Sequence, residues 1–392
     1  MKPWPLLPFL LMLLFPFRLG SVRGLLRTDS INFVCLHRRY LSTTTTTTTE
    51  STTQRSSEYF ASSNFTGIAS QPPGSLVLPP GPIPLPRGLS PSAALEFKAC
   101  PQSFMLRYLF KLREPTNPVL AKGTMVHSAL EKVYDFPAKQ RTLPLLHNLL
   151  RESWSDAKTN KTDDYGSLFD TVEDEREWGL ECLKLLDNYY DLEDPSKLEA
   201  DPVRRETWVR ANLTSDLLVR GIVDRLDLTR APDGEVVLCV TDYKTGKAPD
   251  LKYAPSTNER IMEEKFWQLK VYALLLRNAS RKQNKQLSDE NERNGLGNET
   301  AFTSSVPVRM LRLMFMTSCD GRAKTFDYDL GSTDEERDAS LDKVEDELTK
   351  IWNEIKGLVE QSDTTAFTHC DRKFCMCHKS RDVFVDGLAG QN

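Results

Sequence analysis

Residues 218–247 constrain this chain more than any other stretch. Residues 218–229 alternate apolar and polar side chains, the period of a half-buried strand. Residues 236–240 are continuously apolar and lead into polar positions at Asp242 and Lys244. Between them, Ala231-Pro232-Asp233-Gly234 is a turn: proline presets φ, and glycine accepts a positive one. The two segments therefore form a hairpin. Asp242 and Lys244 stand two apart and share a strand face. Alternation puts Asp227 on the other face from Asp224, which leaves Asp224 and Asp242 to meet across the pair. Two carboxylates with a lysine beside them suit a hard cation such as Mg²⁺. The lysine can hold or help deprotonate a water there.

The pattern around the hairpin defines the fold class. Helices are predicted before it, from Ser90-Pro91 (serine cap, proline at the first position) with an interruption at Cys100-Pro101. A break at Lys122-Gly123-Thr124 precedes a helix over 125–134, and further helices cover 143–158 and 172–192. Residues 163–170 read as a polar loop. Strands follow at 206–213, 218–229 and 236–243, then a helix at 264–277 and strands at 306–317 and 323–330. Residues 281–305 are polar and aperiodic, which predicts a loop or disordered insertion. Residues 334–361 form a long amphipathic helix, with Leu341, Val344, Leu348, Ile351, Ile355 and Leu358 three or four apart. This order predicts an α/β fold with a mixed central β-sheet flanked by helices.

The first 87 residues read as targeting sequence and linker. Lys2, Arg18, Arg23, Arg27, Arg38 and Arg39 face a single acid, Asp29, before a threonine run at 43–49 and a Pro/Gly-rich stretch at 72–86. This is the composition of an organellar transit peptide for chloroplast or mitochondrion, with Arg38-Arg39-Tyr40 resembling a processing site. The apolar run 6–17 also has the length of a secretory signal core, but is too short to span a bilayer comfortably. The folded region is expected over 88–380, with 381–392 as a tail. A net charge of −4 over 392 residues does not mark a nucleic-acid binder by composition. Any phosphate-binding surface must be local, and Arg204, Arg205, Arg210, Lys247, Lys252 and Lys265 are the candidates near the hairpin.

Alone, an Asp-x-Lys pair carries little information. Six short motifs in order carry much more: Leu89-Ser90-Pro91-Ser92, Cys100-Pro101-Gln102-Ser103-Phe104, Gly123-Thr124-Met125-Val126-His127, Gly221-Ile222-Val223-Asp224-Arg225, Asp242-Tyr243-Lys244-Thr245-Gly246 and Gln268-Leu269-Lys270-Val271-Tyr272. Together they resemble the RecB-like branch of the PD-(D/E)XK nuclease superfamily. The resemblance implies a restriction-endonuclease-like core that hydrolyses DNA with Mg²⁺ or Mn²⁺. It implies Asp224, Asp242 and His127 as metal ligands, Lys244 as the catalytic lysine, and Gln268 and Tyr272 as a supporting pair on one helix face. Read only as residues, His127 is equally a satisfied histidine under the sheet. Gln268 and Tyr272 are equally core neighbours of Phe266, Trp267 and Leu269. The partners implied are DNA, as single strands or ends, and a separate helicase, since none is fused here. A nuclease-like DNA-binding protein without turnover and an RNA-processing enzyme are the rival readings.

Cysteine usage extends the resemblance. Cys100 with Cys370, Cys375 and Cys377 is similar to the one-plus-three pattern that holds a 4Fe–4S cluster in one group of these nucleases. The spacing departs from that pattern: four residues separate Cys370 from Cys375, and one separates Cys375 from Cys377. A zinc site, with His369 or His378 also available, stays open. Cys182, Cys239 and Cys319 lie in apolar contexts and are expected to be core thiols.

Overall fold

The computed structural model describes residues 83–111, 116–159, 165–198, 202–293, 306–372 and 375–377, with backbone only for 283–293. The targeting segment and the tail expected from sequence lie outside this set, apart from 83–87.

Two short helices open the fold. Ser90 caps α1 (Pro91–Ala99), its hydroxyl accepting from Ala93 N. Cys100 turns extended, and its thiol caps α2 (Pro101–Phe104), which continues into one π-turn at Met105–Leu109. Next come α3 (Pro118–Lys132), α4 (Leu143–Thr159) and α5 (Val172–Leu192). The break expected at Gly123 is absent. Asn117 caps α3 through two backbone N–H groups, and Pro118 takes its first turn. Gly123 thus sits inside the helix, where an added Cβ would rest 3.6 Å from the Thr245 hydroxyl.

Five strands form one sheet in the order β1-β2-β3-β4-β5. They are β1 (Arg204–Asn212), β2 (Leu218–Arg230), β3 (Val236–Lys247), β4 (Val308–Thr317) and β5 (Lys324–Asp329). The predicted hairpin is present: β2 and β3 are antiparallel, and Gly234 at the turn has φ +90. Only β3 and β4 run parallel. Parallel neighbours need a crossover, supplied by α6 (Pro255–Arg293). The helix expected over 264–277 is therefore much longer, and the loop predicted from 281 is helical as far as Arg293. Its Lys, Arg, Gln and Glu are good helix formers, and a helix already anchored at its apolar end extends at low cost. Residues 294–305 lie outside the described set.

Each face of the sheet has its own core. Along β4, Leu311, Leu313 and Phe315 join the core under α1, α6 and α7 (Asp334–Glu360), while Met314 and Met316 join the core with α3, α4 and α5. A capping box of Thr333 and Glu336 starts α7. Its buried stripe ends on Val359, with Leu358 half-buried. Cys182 and Cys239 are buried as expected. Cys319 is not: it lies exposed in the tight turn after β4 that Gly321, at φ +79, permits.

Candidate functional site

Asp224 and Asp242 come together where β2 and β3 stop pairing. The ladder ends at Arg225 with Thr241, and one residue further along both strands the carboxylates face each other. Asp224 Oδ2 accepts from Tyr243 N at 2.8 Å, so the carboxylate substitutes for a ladder hydrogen bond. Asp242 is almost fully buried, at 3% exposure. Lys244 Nζ lies 2.7 Å from Asp242 Oδ2, an ion pair. Apart from that ammonium, the buried oxygen has no hydrogen-bond partner among the described residues. Lys244 also donates to Gln268 Oε1 at 3.2 Å, and Gln268 Nε2 donates to Tyr272 OH at 2.7 Å. Gln268 and Tyr272 share one face of α6, as their i, i+4 spacing requires.

His127 enters from the other face of the sheet. It stands in the third turn of α3, not at a helix start, and its Nδ1 lies 3.5 Å from Asp224 Oδ2. Burial holds its pKa below the ordinary imidazole value, which favours the neutral, metal-ligating form. The Tyr243 ring packs edge-on to it at 6.0 Å.

Sequence reasoning missed two acids here. Glu206 on β1 occupies the position opposed to Asp224, between the pairs Arg205–Arg225 and Thr207–Val223. Donor atoms of His127, Glu206 and Asp224 all lie within 4.8 Å of one another. Glu206 has φ +41, a left-handed conformation that a non-glycine residue takes only where its surroundings hold it. Glu131, one turn after His127 on α3, is the second. The four-residue step from His127 would have found Glu131, whereas Glu206 is placed by the β1–β2 register, which the sequence alone does not show.

The charges in this cluster oppose one another. Burial and the neighbouring Asp242 push Asp224 well above the ordinary carboxylate value. Burial, with Glu131 and Asp242 nearby, pushes Glu206 up to about 7. Burial also raises Glu131. Crowded carboxylates beside a neutral imidazole, with the donor atoms of His127, Glu206 and Asp224 within reach of one ion, are the donor set of a divalent cation. Mg²⁺ or Mn²⁺ fits these residues.

Two further contacts fix the frame. An added Cβ on Gly221 would stand 2.5 Å from Tyr272 Cε1, so glycine there lets the α6 tyrosine lie against β2. Behind the site, Arg225 is 2% exposed and reaches Glu193 at 2.5 Å, Asp227 at 2.8 Å, and the hydroxyls of Tyr134 and Tyr243. Asp227 is indeed turned away from the carboxylate pair, into this network. Of the basic candidates, Arg205 is tied to Asp135 and the Glu131 carbonyl, and Lys252 to Asp250.

The four cysteines of the expected set are together. Cys100, Cys370, Cys375 and Cys377 place their sulfurs within 4.8 Å of one another, and the Cys370 and Cys377 sulfurs are 3.8 Å apart. Arg372 donates to the Cys370 and Cys375 sulfurs. His369 is not part of this group, and His378 lies outside the described residues. A tetrahedral ion with metal–sulfur bonds of about 2.3 Å sets its thiolates about 3.8 Å apart. A 4Fe–4S cube puts each thiolate on a different iron, roughly 6 Å from the next. The four thiols are gathered as one candidate metal site; as free thiols they stand at single-ion spacing, and a cube would need them to spread. Near them, Gln102 N donates to the Thr368 carbonyl at 3.1 Å, and Arg107 Nε meets Met376 Sδ at 3.1 Å.

Among the described residues no helix is long and apolar enough to cross a membrane. A comparison with curated proteins returns no match. The sequence model of the PD-(D/E)XK nuclease superfamily matches residues 88–379, the whole stretch that carries the sheet, the acidic cluster and the cysteines. With a five-stranded mixed sheet flanked by helices and an Asp-x-Lys strand at its centre, the chain belongs to the PD-(D/E)XK nuclease superfamily, whose members are metal-dependent nucleases.

Proposed function

We propose that the chain is a Mg²⁺- or Mn²⁺-dependent deoxyribonuclease of the RecB-like branch, acting as an exonuclease on single strands or ends in the maintenance of organellar DNA. The observation that carries this reading is the buried Oδ2 of Asp242, ion-paired with Lys244 and beside Asp224. Asp224, Asp242 and His127 are the proposed metal ligands, joined by Glu206. A divalent ion there supplies charge relief at the phosphate and a water acidified to near neutral pH.

The side chains do the positioning. Lys244 is held by Asp242 on one side and Gln268 on the other, so its ammonium is fixed beside the phosphate site to orient the attacking water. Tyr272 fixes Gln268 in turn. Asp224, anchored by the Tyr243 N–H, cannot swing away from the ion. Unwinding, where the substrate is duplex, falls to a separate helicase. The transit-peptide reading of residues 1–87 supports the organelle, as does the acid-poor composition there.

Cleavage of single-stranded DNA with Mg²⁺ or Mn²⁺ tests the assignment. Asp242→Ala and Lys244→Ala are each expected to lower the rate by about 10²-fold or more. Equal rates in parent and variants would sink the site. A parallel assay on RNA of the same sequence separates the deoxyribonuclease reading from RNA processing.

A further inference from the structure

The edge of the sheet beside the site has a surface that the cleavage chemistry does not use. Along β1, Val209 is buried toward α6, and its neighbour Trp208 points the opposite way with 63% of its surface exposed. Strand neighbours alternate faces, so the open face of β1 carries Trp208 and Arg210. The register continues that face onto β2, where Ile222 stands opposite Trp208 and Arg220 opposite Arg210. The result is a two-by-two patch: an indole beside an isoleucine, then two arginines. Arg210 and Arg220 are exposed, and neither is held in an ion pair among the described residues. Nearby basic side chains are already committed, Arg205 to Asp135 and Arg225 to Glu193.

The placement relative to the acidic cluster matters most. Glu206 and Asp224 occupy the next opposed positions along the same two strands, two residues from Trp208 and Ile222. Two residues of strand span about 7 Å of backbone, so the patch begins that close to the cluster, across the left-handed turn of chain at Glu206. An exposed indole that close to the carboxylates, with two free guanidinium groups beyond it, matches what an unpaired nucleic-acid strand offers: a base face to stack and phosphates to neutralise. A duplex hides its base faces and offers only phosphates.

We infer that Trp208, Ile222, Arg210 and Arg220 form a track for single-stranded nucleic acid that leads into the acidic cluster, with a base stacked on Trp208 and the backbone held by the arginines. This rests on the nuclease reading for its direction, and it makes single-strand preference a property of the β1–β2 edge. Trp208 is a specificity residue here and takes no part in the chemistry.

The test measures binding of oligothymidylate, oligouridylate and a blunt DNA duplex to the full chain in EDTA, with cleavage in Mg²⁺ measured separately. Trp208→Ala is expected to weaken single-strand binding about tenfold and to leave duplex binding unchanged, since one base–aromatic stack is lost. Trp208→Phe should retain most of the affinity. Arg210→Ala with Arg220→Ala should lower affinity for all three probes and flatten the salt dependence. Because Trp208 is exposed, the variants are expected to melt with the parent, which circular dichroism checks. Unchanged single-strand affinity in a folded Trp208→Ala chain overturns the track, and so does an equal loss on duplex. The thymidylate and uridylate arms show which backbone the track accepts. A parent chain that binds but never cleaves overturns the nuclease reading, while the Trp208 comparison still decides the track.

Discussion

At the scale of single residues, the site is a set of charges that folding alone leaves in conflict. Glu206 is the clearest case. Its folded pKa is raised from the ordinary 4.5 to about 7 by burial first and by Glu131 and Asp242 next. Between those values the folded chain keeps a proton that the unfolded chain has released. Its favourable contribution is therefore complete below 4.5 and is lost as pH rises through about 7. Asp224 is shifted in the same direction. The metal-free protein is expected to lose thermal stability from pH 5 to pH 8, and millimolar Mg²⁺ to restore it at the upper end, because an ion that binds only the folded state adds its binding free energy. Glu206→Gln should flatten the metal-free profile and shrink the Mg²⁺ effect. Melting curves across pH, with and without Mg²⁺, check both. A profile that Mg²⁺ does not change would remove Glu206 from the ligand set.

At the scale of elements, the site depends on how α6 and α5 dock on the hairpin. Gly221→Ala places a methyl 2.5 Å from Tyr272 Cε1, so the ring must move and pull its hydroxyl off Gln268. A loss of about 1–3 kcal/mol is expected in urea denaturation. Cleavage should fall as well, because Gln268 steadies Lys244. Adding Tyr272→Ala should relieve the clash, so the double change is expected to cost less than the sum of the two single changes, with none of the rate recovered. Arg225 ties β2 to Glu193 at the end of α5. Arg225→Met leaves the half-buried carboxylates of Glu193 and Asp227 without their cation, at an expected cost of about 3 kcal/mol. Glu193→Gln with Arg225→Met is expected to cost less than the single change, which a double-mutant cycle measures.

At the scale of the whole molecule, the cysteine cluster joins the first helices to the last described residues and so closes nearly the entire fold into one loop. Cross-links over long loops restrict the unfolded chain most, and a metal bound only by the folded state adds its binding energy to stability. The gathered thiols lead to an expectation of bound metal in protein purified without oxygen: either one zinc per chain, or four irons with thiolate–iron absorbance. Elemental analysis and a visible spectrum measure it. Four irons per chain would show that the thiolates spread to take a cube. A chelator should lower the melting temperature and leave the acidic cluster's own Mg²⁺ response in place.

Much of this was legible from local patterns. Alternation and the Pro-Asp-Gly turn located the hairpin, and the two-residue step from Asp242 to Lys244 and the four-residue step from Gln268 to Tyr272 follow from backbone periods that neighbours in sequence obey. Alternation also put Asp227 on the far side, where it meets Arg225. The misreadings were local as well. Gly123 looked like a helix break because its interior place depends on the cap at Asn117, and 281–293 looked like loop because its helix is anchored elsewhere.

The sequence by itself determined the fold class, the hairpin and the Asp-x-Lys strand, since each rests on periods a few residues long. Only the tertiary structure decided that Glu206 faces Asp224, that His127 crosses from the opposite face, that four thiols gather in one cluster and that Trp208 is left bare beside the site. Those facts join positions tens to hundreds of residues apart. Their distances are set by strand register and helix docking, which no local pattern encodes.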